Sequence, residues 1–272
     1  MKTTHRNYSE EQGDFRRLAK FFTHRPMKRR THTTWCLGRY VDWKYGQYEN
    51  KRAFASFCEE NAHIWFDGFG ELAGFVVSES GDATFTVHTM DGYRFLYEEM
   101  MQWAMETWKD RVTSACGLST EVTEFQDWEI KIIERYGLRP KVTFFTRRFD
   151  LTKDLVARVS LEPGFTIVDM KCHPNYRAQG LLRANAFQKK ASLTEQEMNE
   201  RLKFFNAVIN DPIYHPDTDL CVLAPDGRFA SGCEALINVH ALEADIERVC
   251  THSDFRQRGF ARAVIQECLY RL

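Results

Sequence analysis

A chain of 272 residues is long for one small α/β domain and comfortable for two, so one large core or a pair of cores is within reach. Its 37 basic and 38 acidic side chains leave a formal charge of −1, which offers no general field for nucleic acid or for an anionic membrane. The polar opening residues 1–8 carry no apolar leader, and no uninterrupted apolar run reaches about 18 residues, so the chain reads as a soluble, cytoplasmic protein. Eight cysteines at 36, 58, 116, 172, 221, 233, 250 and 268 form no Cys-x-x-Cys pair and sit mostly in apolar runs, the pattern of reduced core residues. His, Cys and Glu show no metal-ligand spacing, so no metal site is expected.

Phe15, Leu18, Ala19 and Phe22 are spaced for an amphipathic helix that His24-Arg25-Pro26 breaks, and Lys28, Arg29 and Arg30 follow as a basic loop. Residues 62–66 and 72–77 are β-prone runs on either side of Asp67-Gly68-Phe69-Gly70-Glu71, a hairpin signal, and 83–88 extends them into a meander. A helix is predicted over 93–108, a short strand over 112–116, a second helix over 125–136 ended by Gly137, and a strand over 141–147. The aromatic clusters at Trp35 and Trp43 and at Trp103 and Trp108 read as core and helix packing rather than a stacking platform for bases.

After a charged linker at 150–163, Glu162-Pro163-Gly164 marks a turn and 165–170 a first strand. Residues 185–209 carry helical periodicity in two stretches, Asp211-Pro212 stops them, and 220–224, Pro225-Asp226-Gly227 and 228–239 form the next hairpin. Residues 241–250 make a strand that runs into Thr251-His252-Ser253-Asp254-Phe255-Arg256-Gln257-Arg258-Gly259-Phe260-Ala261-Arg262 and then a helix-prone run. A turn that opens a helix aims several unpaired backbone N–H groups at one point, and the positive end of the helix dipole adds to them, so an anion settles there. Gly259 allows close backbone approach, Ala261 keeps the first helical turn thin, and Arg256, Arg258 and Arg262 add positive charge, with Arg256 best placed for bidentate phosphate contact. His173-Pro174-Asn175-Tyr176-Arg177-Ala178-Gln179-Gly180-Leu181-Leu182 repeats the arginine-x-x-glycine spacing, but Leu182 stands where a small residue is needed, so a turn leading into helix is the preferred reading there.

Arg256, Gly259 and Ala261 match the acyl-CoA signature of the GNAT superfamily of N-acetyltransferases, and the wording from residue 249 to 261 resembles that family throughout, except that Ser253 replaces a common proline. The resemblance implies that acetyl-CoA is the cosubstrate, with Val249, Cys250 and Thr251 along its pantetheine arm and Arg256, Gln257, Arg258, Gly259, Phe260, Ala261 and Arg262 around its pyrophosphate. The order of elements in the first half is similar to that of the same fold from its second strand onward, so the expected fold class is α/β (α+β). It would comprise two tandem GNAT-like domains, 1–152 and 153–272, each a mixed, mostly antiparallel sheet flanked by helices. The layout resembles that of mycothiol synthase. In the first domain Thr89-Met90-Asp91-Gly92-Tyr93-Arg94 stands in place of the signature, and Asp91 would repel a pyrophosphate, so that copy is read as degenerate. In the second, roughly 40 residues of the fold are expected beyond the last helix, whose apolar face of Val264, Ile265, Cys268 and Leu269 would otherwise be bare.

Acetyl transfer needs a neutral amine, an oxyanion donor and an acid for the departing thiolate. A backbone N–H near Val249 or Cys250 is the expected donor. Glu243, Asp245 and Glu247 alternate along the strand and share a face if it is regular; Glu247 is the favoured general base and Asp245 the second choice, with a merely solvated face as the other reading. A bulge in that strand would change which side chains point inward. His252 reads as an exposed turn residue and Cys250 as a wall of the core, without a histidine partner to activate it. The partner implied is a small-molecule primary amine attracted by acidic side chains, with no nucleic acid and no membrane, and an open sheet edge would favour a homodimer. The alternative function is a catalytically inactive CoA-binding or protein-interaction module.

Overall fold

The computed structural model describes residues 2–23, 35–45, 56–114, 117–153 and 157–272. The basic loop at Lys28, Arg29 and Arg30 and the end of the strand expected over 112–116 lie outside the described residues. Contacts divide the chain into two compact units, Met1–Phe145 and Thr146–Leu272.

The N-terminal unit runs β1 (Thr4–Asn7), α1 (Asp14–Thr23), α2 (Leu37–Tyr45), α3 (Phe57–Asn61), β2 (Ala62–Phe66), β3 (Leu72–Val77), β4 (Thr84–Thr89), α4 (Tyr97–Trp108), β5 (Ser119–Thr120) and α5 (Asp127–Arg135). Its sheet has the order β1-β2-β3-β4-β5, antiparallel until β5, which lies parallel to β4. Every residue of β2 and β3 is buried because helices cover both faces of the sheet, which is why these strands read as continuous apolar runs rather than alternating ones. On one face Trp65, Val76, Phe85 and Val87 pack against Met100, Met101, Ala104 and Trp108 of α4. On the other, the rings of Phe21 and Phe22 from α1 meet Phe75 and His88.

The C-terminal unit repeats the front of that order as β6 (Thr166–Asp169), α6 (Tyr176–Gln188), α7 (Glu195–Val208), β7 (Tyr214–Leu223), β8 (Phe229–Asn238), β9 (Glu243–Thr251) and α8 (Phe260–Arg271). Its sheet, β6-β7-β8-β9, is antiparallel throughout. Leu220, Val222, Ala230, Cys233 and Ala235 face α8, where Phe260, Val264 and Cys268 cover them. Cys221, Phe229 and Cys250 face the opposite way and meet Leu182 of α6. The α/β class with mostly antiparallel sheets between helices is therefore present in both units.

Four expectations need correction. Residues 112–114 form no strand; a 3-10 turn ends at Arg111 and Val112 is exposed, while the chain pairs later through Ser119–Thr120. Residues 141–147 form no strand either: they are irregular, and Val142 and Phe144 are exposed, because β propensity without a neighbouring strand makes no ladder. The first helix of the C-terminal unit starts at Tyr176 rather than near 185, since the Asn175 side chain caps it by accepting from the Ala178 N–H at 3.0 Å. Arg177 and Gly180 thus lie within α6 itself rather than in a turn ahead of it. The apolar stripe of α8 is packed rather than bare, with Val264 and Cys268 buried against the sheet and Ile265 and Leu269 half-buried.

Candidate functional site

The strand β9 is the outer strand of its sheet, so one of its edges carries backbone groups that no other strand takes up. Beyond it, Ser253–Phe255 forms a 3-10 turn: the Asp254 N–H donates to His252 Nδ1 at 3.2 Å and the Phe255 N–H to the His252 carbonyl at 3.0 Å. The Ser253 N–H donates to Asn185 Oδ1 at 2.7 Å, which pins the start of the turn to α6. Gln257 and Gly259 both have left-handed backbones, at φ 61° and 79°. Successive backbone N–H groups in such a turn can form an anion-binding concavity. A side chain at Gly259 would meet nothing within 4 Å, so glycine is required there by its φ and by whatever approaches the backbone, not by crowding within the protein.

Among the described residues, the backbone N–H groups from Arg256 to Arg262 donate to no other group, and the Ala263 N–H is the first to enter the helical ladder, to the Gly259 carbonyl at 3.0 Å. Such a run of donors at the positive end of a twelve-residue helix suits a diphosphate. The three arginines differ. Arg256 is exposed and reaches only the Ala186 carbonyl, at 3.5 Å, and neither it nor Arg262 has a carboxylate partner among the described residues. Arg258 is held by Glu162 through Nε at 3.1 Å and lies over the rings of Phe165 and Phe260, so its charge is already engaged. The Arg258 guanidinium in turn holds the Glu162 carboxyl below its ordinary range.

Ala244 and Ile246 pack beneath α8, so Glu243, Asp245 and Glu247 project from the other face of β9, toward the side covered by α6. All three are half-buried. The anticipated irregularity lies just beyond them: Cys250 pairs with Gly232 but Glu247 with Glu234, so two steps along β8 face three along β9, and Arg248 has φ 50°. The alternation that places Glu247 therefore ends at Glu247. Val249 returns to the α8 face and Cys250 to the α6 face. Burial pushes the Cys250 thiol up to about 11, which leaves it a poor nucleophile. His252 serves as the cap of the turn through Nδ1.

A cluster that the sequence did not reveal lies behind this strand. Arg183 of α6 donates to Glu234 of β8 at 3.0 Å and stands 3.8 Å from Asp219 of β7, while Arg248 pairs with the other oxygen of Glu234. Asp219 also accepts from Gln179 at 2.6 Å and from the Tyr214 hydroxyl at 2.9 Å, and Tyr214 meets the Tyr176 hydroxyl at 3.1 Å. The guanidiniums of Arg183 and Arg248 lie over Phe205 and Phe204 of α7. Burial raises the Asp219 carboxyl, and Arg183 opposes it. The only sequence hint was the presence of Gln179 and Arg183 on the inward stripe of a helix; the left-handed backbone of Arg248 leaves no mark in residue type.

In the N-terminal unit the corresponding turn is built differently. The Met90 N–H donates to the Ala73 carbonyl at 2.8 Å, as the His252 N–H does to the Ala230 carbonyl at 2.9 Å, but the Tyr93 and Leu96 N–H groups are used locally, by Met90 and Tyr93. Arg94 is paired with Glu129, whose side chain is buried. Among the described residues no group of three or more His, Cys, Asp or Glu could hold a metal ion, and no helix is long and apolar enough to cross a membrane.

No protein-family model matches the chain, and no curated protein matches it. Among solved structures it is similar to a GCN5-related N-acetyltransferase from Sphaerobacter thermophilus, with a TM-score of 0.58 and 15% identity over 99% of this chain and 82% of that one. It is also similar to a tandem GNAT protein from the clavulanic acid biosynthesis pathway, with a TM-score of 0.51 and 11% identity over 99% of this chain and 85% of that one. The fold is thus that of GNAT N-acetyltransferases, a tandem member included.

Proposed function

We propose that the C-terminal unit binds acetyl-CoA and transfers its acetyl group to a primary amine of a small molecule by direct attack. The observation that carries this reading is the run of unengaged N–H groups from Arg256 to Arg262 around the left-handed Gly259, on a fold shared with N-acetyltransferases. Acetyl-CoA supplies an activated thioester. The turn and Arg256 hold its diphosphate, and the free edge of β9 lies along the pantetheine arm. Holding amine and thioester together removes most of the entropic barrier. The amine nitrogen forms a bond to the carbonyl carbon, the carbon–sulfur bond breaks, Glu247 accepts the amine proton directly or through water, and CoA leaves as its thiolate, which takes a proton from solvent. A backbone N–H at Val249 or Cys250 stabilises the negative oxygen that develops.

The N-terminal unit, in a two-copy layout like that of mycothiol synthase, is proposed to have given up acyl-CoA binding. Glu129 supplies to Arg94 the negative charge that a phosphate would otherwise bring. The test is calorimetric titration of acetyl-CoA into the wild-type chain, Arg256→Ala and Gly259→Glu, followed by thiol release from acetyl-CoA across a panel of amines. Binding by wild type and failure by both variants supports the cradle. Thiol release that depends on an amine separates an enzyme from an inactive CoA-binding module. Absence of binding by a folded wild-type chain rejects the reading.

A further inference from the structure

Arg248 is the one residue of β9 with a left-handed backbone, at φ 50°. That conformation is unfavourable for arginine, which has no local side-chain hydrogen bond to compensate it as asparagine or aspartate has. Something outside the strand has to hold it. The residue sits where the β8–β9 register slips, between the pairs Glu234 with Glu247 and Gly232 with Cys250. Its side chain runs into the buried cluster, where its guanidinium pairs with Glu234 and lies over the Phe204 ring. Glu234 is itself fixed from the other side by Arg183, which approaches Asp219 as well and lies over Phe205. Elements α6, α7, β7 and β8 thus converge on one side chain of β9.

Four charged side chains, two of each sign, are almost fully buried here. A buried ionic cluster is weak evidence for stability, because apolar residues of similar volume often serve as well, whereas fixing one geometry is a use to which such clusters are put. A bulge re-aims the backbone that follows it. We infer that Glu234, oriented by Arg183, is a positioning residue: it anchors Arg248 so that β9 stays bulged and the N–H after the bulge is aimed at the thioester carbonyl. This rests on the acetyl-CoA reading above, and the anion cradle beyond Phe255 lies outside the anchor, so the two are separable.

The test uses the full chain and acetyl-CoA labelled with ¹³C at the thioester carbonyl, reading that carbonyl's infrared stretch on binding alongside calorimetric affinity. Arg248→Gly removes the anchored side chain but accepts a left-handed backbone, Arg248→Val resists it, and Glu234→Gln removes the anchoring charge. Wild type and Arg248→Gly are expected to lower the stretch. Arg248→Val and Glu234→Gln are expected to lose most of the lowering while affinity stays within about threefold. If Arg248→Val does not fold, as read by circular dichroism, Arg248→Gly against Glu234→Gln decides on the same criterion. Full lowering in Glu234→Gln, or equal loss in Arg248→Gly and Arg248→Val, overturns the inference. A wild type that binds acetyl-CoA without any lowering overturns it alone, and a wild type that does not bind overturns the functional reading beneath it.

Discussion

Arg94 donates through Nε to the Glu129 carboxylate at 2.5 Å, ahead of α4, at the place where Arg256, ahead of α8, has no acidic partner among the described residues. The pair is asymmetric: the Glu129 side chain is 1% exposed and that of Arg94 is 44% exposed. Losing the arginine strands a buried carboxylate, whereas losing the glutamate lets the arginine return to water. Arg94→Ala is therefore expected to cost about 2–4 kcal/mol and Glu129→Ala about 1–2 kcal/mol in urea denaturation. Equal costs would mean that Glu129 finds water on its own and does not depend on Arg94.

The arginines of the cradle are expected to separate in binding. Among the described residues Arg256 has no carboxylate partner, so Arg256→Ala would remove the proposed charge-assisted contact outright and should weaken acetyl-CoA by about 10- to 100-fold. Arg258 is engaged with Glu162, so Arg258→Ala should weaken it less than about threefold. Calorimetry on both variants decides, and comparable losses would show that Glu162 releases Arg258 to the ligand.

What the sequence disclosed follows from how local each feature is. The runs at 62–66 and 72–77 were legible because continuous apolar strands between turn signals carry their own boundaries, and the turn around Gly259 because glycine, arginine and a following helix lie within a few residues. Ser119–Thr120 was not, since a two-residue parallel strand exists only by virtue of Thr84 and Phe85 beside it. Residues 141–147 mislead for the opposite reason: their β propensity is real but nothing in the described structure pairs with them. The start of α6 was obscured by the arginine-x-x-glycine spacing, although Asn175 is an ordinary N-cap. At the site, Glu243, Asp245 and Glu247 alternate along a stretch of β9 that stays in register with β8, and the slip comes only beyond Glu247. The charges that converge on Arg248 come from α6, β7 and β8, separated from it widely in sequence, and no pattern in one chain couples them.

Two histidines make the N-terminal unit acid-sensitive before its carboxylates titrate. Burial lowers His63 to about 3, with the charges of His5 and Arg6 adding to it; its ring meets His5 Nδ1 at 2.8 Å and Asn7 Oδ1 at 2.7 Å and stacks on Trp103. Burial likewise lowers His88 to about 3, aided by Arg39, among the rings of Phe21, Phe22, Trp35 and Phe75. Both stay neutral when folded and take up a proton on unfolding below their ordinary value of 6.5, so their contribution is complete above that pH and is lost as pH falls toward 3. Denaturant unfolding between pH 7 and 5 should show uptake of up to about two protons, reduced in His88→Phe. A flat profile over that range, or an NMR midpoint near 6.5 for either ring, would contradict the assignment.

Cys250 provides the sharpest test of direct transfer, because a thiol beside the proposed path of the thioester arm is the obvious alternative acceptor. It is 6% exposed and packs with Leu182 and Tyr176, and burial pushes it up to about 11 although Arg183 opposes the shift. At pH 7 only about one molecule in ten thousand would carry the thiolate. An acetyl group parked on that sulfur would also have to be displaced from inside the core. Cys250→Ala is therefore expected to keep acetyl transfer within about threefold, and mass spectrometry after mixing with acetyl-CoA should find no acetylated enzyme. Alkylation by iodoacetamide should reach the exposed Cys172 long before Cys250. An acetyl-Cys250 adduct that forms and decays as fast as turnover would replace the single-step transfer with a two-step one and move the role of Glu247 from the first half of the reaction to the second.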